Sequence, residues 1–208
     1  MKPEETVRRK KKGTRTKRKL FDCAARLFQE YDFNQVSVEQ IVEAAGVAKG
    51  TFYIYFPSKD ALIAEFISDC VDRVDADYRR VWQDAAPGTP MPQLVLGLIE
   101  KIADTLTDTI GCDSMRTIYK LLLERNLGMG VVKGYGRDLY AGFAELLTEG
   151  IRRGEFKSEL PPEALARHFV LAMRGLSYEW CIQYPDFDLK AEALIHFRLL
   201  LPSIRSDL

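Results

Sequence analysis

Lys49, Gly50, Thr51, Tyr53 and Tyr55 stand within one short stretch of this 208-residue chain. On the outside of a helix they would offer a cation, a gap, a hydroxyl and two phenols, groups suited to phosphate oxygens and base edges. Other chemistry finds less support. His168 and His196 are the only histidines and fall on separate predicted helices, so no Ser-His-Asp or Cys-His set can be built from spacing. Cys23, Cys70, Cys112 and Cys181 are scattered without a Cys-x-x-Cys and read as reduced core thiols rather than a zinc site. Gly134-Tyr135-Gly136 lacks the third glycine and the preceding strand of a dinucleotide loop. Asp69 and Asp72 lie on a helix amid basic residues and read as a solvated face. No cofactor or metal is expected, and the chain does not read as an enzyme.

Two short helices must position that stretch. Val38, Ile41, Val42 and Ala45 fall at i, i+3, i+4 and i+7, one face of a helix that Ser37 caps and Gly46 ends. Val47 points inward, and a second helix follows with Phe52, Tyr55 and Phe56 at helical spacing. Pro57 stops it, and Ser58 caps the next helix, with Asp60 in its first turn. Two helices of about two turns joined by a short Gly-containing turn form the helix-turn-helix pattern. In that arrangement the second helix enters the DNA major groove. An ordinary helical hairpin shares the spacing.

The run AGVAKGTFYIYFPSKDAL resembles the signature of TetR-type transcriptional repressors, and residues 14–66 match that family's DNA-binding domain. The Gly46-Val47, Lys49-Gly50-Thr51, Tyr53-x-Tyr55-Phe56 and Ser58-Lys59-x-x-Leu62 pieces stand in the family's order. The resemblance implies that Lys49 and Tyr53 face bases and that Thr51, Tyr55 and Lys59 hold phosphates, with Gly50 between them and Ser37 near the backbone. Glu39 departs from the pattern, since many members carry a basic residue there. A carboxylate at that place repels phosphate but can accept from cytosine N4. The resemblance also implies a homodimer on a palindromic double-stranded DNA operator, released by a small-molecule effector and dimerised through its last two long helices, and the reduced thiols suggest a cytoplasmic protein.

The rest of the chain is read as all-α. Residues 1–13 are expected to be a flexible basic arm, residues 14–60 the helix-turn-helix domain, and residues 61–208 an effector-binding and dimerisation domain joined through a long helix. Net charge is zero, yet residues 1–19 hold ten Lys or Arg against two Glu, and the remainder twenty against twenty-eight acids. A basic end on an acidic body points to a polyanion partner for that end. A helix from Thr14 to Tyr31 would pack Leu20, Cys23, Ala24, Leu27 and Phe28 over the helix-turn-helix. Another, from Ser58 to Ala85, is long enough to carry movement from body to reading head. Helices are then expected over 93–110, 114–127, 131–153, 162–183 and 189–204. No apolar run reaches the ~18 residues of a membrane helix.

Wide apolar faces on the last two helices, which include Phe169 and Phe197, suggest burial against both the subunit's own core and a partner, so charges at these two positions are expected to give monomers or misfolded protein. Phe66, Tyr78, Trp82, Met115, Tyr119, Tyr140, Phe143, Met173 and Tyr178 are candidates to line an apolar effector cavity, with Arg116, Arg174 and His168 as polar anchors. A filled core would use the same residues. Two other classes stay open: an effector-independent or architectural DNA-binding factor, and a small helical enzyme, against which the lack of any catalytic constellation argues.

Overall fold

The computed structural model describes residues 3–123 and 137–205, with side chains from Gly13 onward except at Asp72. Nine α-helices stand among the described residues: α1 (Pro3–Glu30), α2 (Val38–Ala45), α3 (Lys49–Tyr55), α4 (Lys59–Gln83), α5 (Met91–Asp104), α6 (Cys112–Leu123), α7 (Asp138–Arg152), α8 (Pro162–Gln183) and α9 (Leu189–Leu200). A π-helical turn, Thr105–Ile110, extends α5, and a 3-10 turn, Leu201–Ile204, follows α9. The only pairing of extended backbone among the described residues is an isolated bridge between Phe156 and Arg205. None of the described helices is long and apolar enough to cross a membrane.

The first helix begins at Pro3 rather than Thr14. Glu, Arg and Lys are good helix formers, and a proline costs nothing in a first turn whose amide has no partner. The Gly128–Gly130 break, Gly134–Gly136 and the start of the helix expected from Val131 lie outside the described residues.

The described residues form two compact units. The first holds the residues up to Asp69 together with Thr117–Leu123 of α6. Its core is Leu20, Phe21, Cys23 and Ala24 of α1, Ile41, Val42 and Ala45 of α2, Phe52 and Phe56 at α3, and Leu62 of α4. Helices of seven and eight residues are too short to be stable in isolation, so α1 and α4 supply the apolar surface on which α2 and α3 depend. Phe66 joins Phe28 and Phe33 in an aromatic cluster, with centroids 5.4 Å and 6.0 Å away.

In the second unit α5 packs on α7 and α9, and α8 packs on α7 and α9. Phe143, Phe169 and Phe197 form the spine of that core, at successive centroid separations of 5.9 Å and 5.3 Å. Asp75 of α4 is the one carboxylate among the buried residues there. It accepts two bonds from Arg137 Nε (2.9 and 3.1 Å), one from Arg137 Nη2 (2.6 Å) and one from the backbone amide of Leu139 (3.2 Å). The carboxylate of α4 thereby satisfies a first-turn amide of α7 that has no acceptor within its own helix.

Candidate nucleic-acid interface

Ser37 starts the site. Its hydroxyl accepts from the Gln40 amide (3.1 Å) while its own amide donates to the Gln40 side chain (2.7 Å), a reciprocal cap that fixes where α2 begins. Gly46 ends α2 in the left-handed region, φ 60° and ψ 42°, where a side chain would be strained. Its amide donates to Glu43 O (3.0 Å), and that of Val47 donates to Val42 O (3.0 Å). These bonds turn the chain sharply into α3.

Phe52 and Phe56 are 0% and 2% exposed and pin α3 to the unit's core. The opposite side of α3 carries Lys49, Gly50, Tyr53 and Ile54, all exposed. A Cβ added at Gly50 would meet nothing within 4 Å, so the helix backbone is open to close approach there. Lys49 forms an ion pair with Glu39, the second residue of α2. Hydrogen bonding to Lys49 holds the Glu39 carboxyl below its ordinary value, and the same bond holds the Lys49 ammonium above its own.

Three expected contacts sit differently. Tyr55 is half-buried against the core, with its hydroxyl 3.5 Å from where a Cβ on Gly13 of α1 would stand, so it is not on the open face with Tyr53. Thr51 is likewise half-buried. Lys59 turns inward, its ammonium donating to Phe33 O (2.9 Å) and Val36 O (3.0 Å). Two of its three N–H groups thus hold the loop that carries Ser37. Ile54, 76% exposed, was not among the expected residues. Its signal was the helical offset from Phe52 and Phe56, which leaves position 54 no route to the core. Lys17 and Arg18 flank the unit on α1: the first pairs with Glu65 at 2.8 Å and lies 5.2 Å from the Phe56 ring centroid, the second pairs with Asp22 at 2.9 Å.

The expected effector residues are distributed over both units. Phe66 and Tyr119 belong to the first unit. His168 is exposed and Tyr178 is 51% exposed, both on the outer side of α8. Arg116 donates from Nε (2.9 Å) and Nη2 (2.7 Å) to Cys181 O and from Nη1 to Asp113 (3.0 Å), so its guanidinium ties α6 to the end of α8. Met115, Tyr140, Phe143 and Met173 are buried in the second unit, and the Arg174 guanidinium stacks 5.7 Å from the Tyr140 ring. Tyr78 is buried and bonded to Thr105, and burial pushes its phenol up to about 12. Trp82 packs against α7 where a Cβ on Gly142 would stand 2.7 Å from its ring, and its indole N–H is buried without a hydrogen-bond partner among the described residues. Burial pushes the Cys181 thiol up to about 12, and Cys112 upward too, which keeps both as protonated core thiols.

Comparison with known proteins agrees with this arrangement. Residues 20–66 match the family model described as bacterial regulatory proteins, tetR family. The HTH-type transcriptional regulator YdgC of Bacillus subtilis is 40% identical over 162 residues, covering 77% of this chain and 78% of that protein. The HTH-type transcriptional regulator AcrR of Shigella flexneri is 26% identical over 210 residues, 95% of each chain. The fold is shared with Thermus thermophilus FadR, a TetR-family repressor, at a TM-score of 0.67 and 22% identity over 89% of this chain and 93% of that one. With a 40% identical relative aligned over most of both lengths and the family model on its helix-turn-helix, the chain belongs to the tetR family of bacterial regulatory proteins, which are DNA-binding transcriptional regulators.

Proposed function

We propose that the chain is a cytoplasmic, homodimeric repressor that reads an inverted-repeat operator with α3 and releases it when the second unit binds a small apolar or aromatic effector. The observation that carries the DNA reading is the face of α3. Phe52 and Phe56 anchor the helix from behind, and Lys49, Gly50, Tyr53 and Ile54 stand open in front. A cation, a bare backbone, a phenol and a branched alkyl group suit phosphate, base edges and thymine methyls. Residues 1–19 add a dense positive charge, which supports sequence-independent affinity for the backbone.

Dimerisation is supported by an exposed apolar stripe. Leu171, Tyr178 and Ile182 on α8 and Ile195 and Leu199 on α9 are each about half or more exposed, 48% to 73%. Positions 171, 178 and 182, like 195 and 199, recur at helical spacing, so each set lies on one side of its helix. Phe169 and Phe197 are 4% and 0% exposed inside the subunit's own core. Helices α7 and α5 already cover that side, and the partner meets the other.

Effector binding is supported by the company the chain keeps. The Thermus thermophilus FadR structure holds lauroyl-CoA, and another fold relative, SmeT, is seen with triclosan. The remaining candidates in this chain are Tyr78, Trp82, Met115, Tyr140, Phe143, Met173 and Arg174. Release is a population shift, so the effector must bind the DNA-incompetent state more tightly than the competent one. Selection of duplexes from a random pool tests the first half, and the expected product is an inverted repeat with half-sites about 34–36 Å apart. Titration of lauroyl-CoA and triclosan with and without that duplex tests the second. An effector that weakens operator binding tenfold must itself bind tenfold more weakly to the complex, a coupling of about 1.4 kcal/mol. Recovery of no preferred sequence refutes the DNA reading, and equal ligand affinity in both states refutes release by that ligand.

A further inference from the structure

The ion pair between Glu39 and Lys49 joins two helices on the open face of the helix-turn-helix. Both side chains are more than half exposed, 62% and 56%. Lys49 opens α3, Glu39 lies in the first turn of α2, and Tyr53 follows Lys49 by one turn on the same side. No core contact demands a charge at either place. A lone lysine here would be a mobile cation able to reach any nearby phosphate or base acceptor. With its ammonium held by Glu39, it becomes one half of a donor–acceptor pair of fixed order.

The major-groove edge of a base pair is also an ordered series of donors and acceptors. A G·C pair presents guanine N7 and O6 as acceptors beside the N4 amino donor of cytosine. Lysine on guanine and glutamate on cytosine N4 are the matching single contacts. Two groups already in hydrogen-bond contact have the separation that the adjacent O6 and N4 positions require.

We propose that Glu39 and Lys49 read one G·C base pair per half-site as a unit, Lys49 donating to guanine and Glu39 accepting from cytosine. This rests on the DNA reading above and assigns Glu39 a specificity role. The carboxylate weakens attraction to phosphate generally and is repaid at one base pair. A phosphate-seeking lysine would gain from the absence of Glu39, whereas a base-reading pair loses selectivity without it.

The experiment is selection and sequencing of duplexes bound by the full-length wild-type protein, Glu39→Ala and Lys49→Met, followed by affinity measurements on the selected duplex and its single-base variants over a range of salt. Both positions are exposed, and circular dichroism melts confirm that the variants fold. The wild type is expected to require G·C at one position of each half-site. Both variants are expected to relax that same position about tenfold or more, within the 5- to 150-fold range of a good side-chain–base contact, while leaving the other positions intact. Three results overturn the proposal. One is a Glu39→Ala variant that selects the same sequences with the same stringency. Another is a uniform gain in affinity for all duplexes with a steeper salt dependence, which would make Glu39 only a mask on Lys49. The third is relaxation of different positions by the two variants. Failure of the wild type to select any sequence would instead refute the DNA reading itself.

Discussion

Lys59 offers the sharpest test of how the reading head is built. Its ammonium donates to Phe33 O at 2.9 Å and Val36 O at 3.0 Å in a partly buried setting. Lys59→Met keeps most of the stem and deletes the donors. A hydrogen bond to a charged group is worth about 1.5–3 kcal/mol, and the partial exposure of this site lets water recover some of it. The expected loss for the pair is about 2–4 kcal/mol, a melting shift of roughly 5–15 °C for a chain of this size. The measurement is a thermal melt at fixed protein concentration beside operator binding across a salt series. The loop from Phe33 to Val36 leads into the Ser37 cap, so operator affinity is expected to fall along with stability. If the third N–H touches a phosphate, the slope of log affinity against log salt also drops by about 0.9. A Lys59→Met protein that melts within about 1 °C of wild type would refute the clamp, whatever its DNA binding.

Asp75→Ala strands the Arg137 guanidinium and the Leu139 amide and is expected to cost about 3–5 kcal/mol in denaturant melts, whereas the double change Asp75→Leu with Arg137→Met is expected to recover most of that loss. Tyr78 has a folded pKa of about 12 against an ordinary 10.0, so its contribution is complete below pH 10 and is lost as pH rises from there toward 12. Absorbance at 295 nm is expected to show a late-titrating phenol component that appears together with loss of ellipticity, and titration of every tyrosine in a single step near pH 10 with the helices intact would contradict this. Leu171→Glu combined with Ile195→Glu is expected to give a folded monomer by sedimentation with much weaker operator binding, whereas Phe169→Glu is expected to unfold the second unit.

The reading head was legible because its signals are local. Ser37 at the start of α2, Gly46 at the bend, and Phe52 with Phe56 all act within a few residues of their partners, and helical spacing alone says which side the phenylalanines take. Contacts made by long side chains between elements were not legible. Lys49 and Glu39 are ten residues apart on different helices, and Lys59 reaches back twenty-three residues to Val36, so no periodicity records either. Lys59 matched a phosphate-holding position in the family pattern, yet its observed partners are the carbonyls of its own loop. Asp75 carried a faint signal, a carboxylate four residues after Val71 and three before Tyr78 in an apolar stripe. Nothing near it in sequence named Arg137 as the partner.

The last two long helices show where the periodicity argument stops. Helix α8 carries two apolar sides, one with Leu165, Phe169, Met173 and Trp180 and the other with Leu171, Tyr178 and Ile182. Either could face inward by hydrophobicity, and periodicity alone does not say which of the two meets a partner. Phe143, Phe169 and Phe197 run through the core in successive ring contacts, which leaves the stripe of Leu171, Tyr178 and Ile182 outside. An apolar helix side left in water is unfavourable by about 25 cal/mol per Å², so the stripe has a standing reason to meet its equal on another copy. A chain whose core were satisfied on both sides of α8 would have no such reason. The monomer expected from charges at Leu171 and Ile195, set against the unfolding expected from one at Phe169, separates these two sides of a single helix.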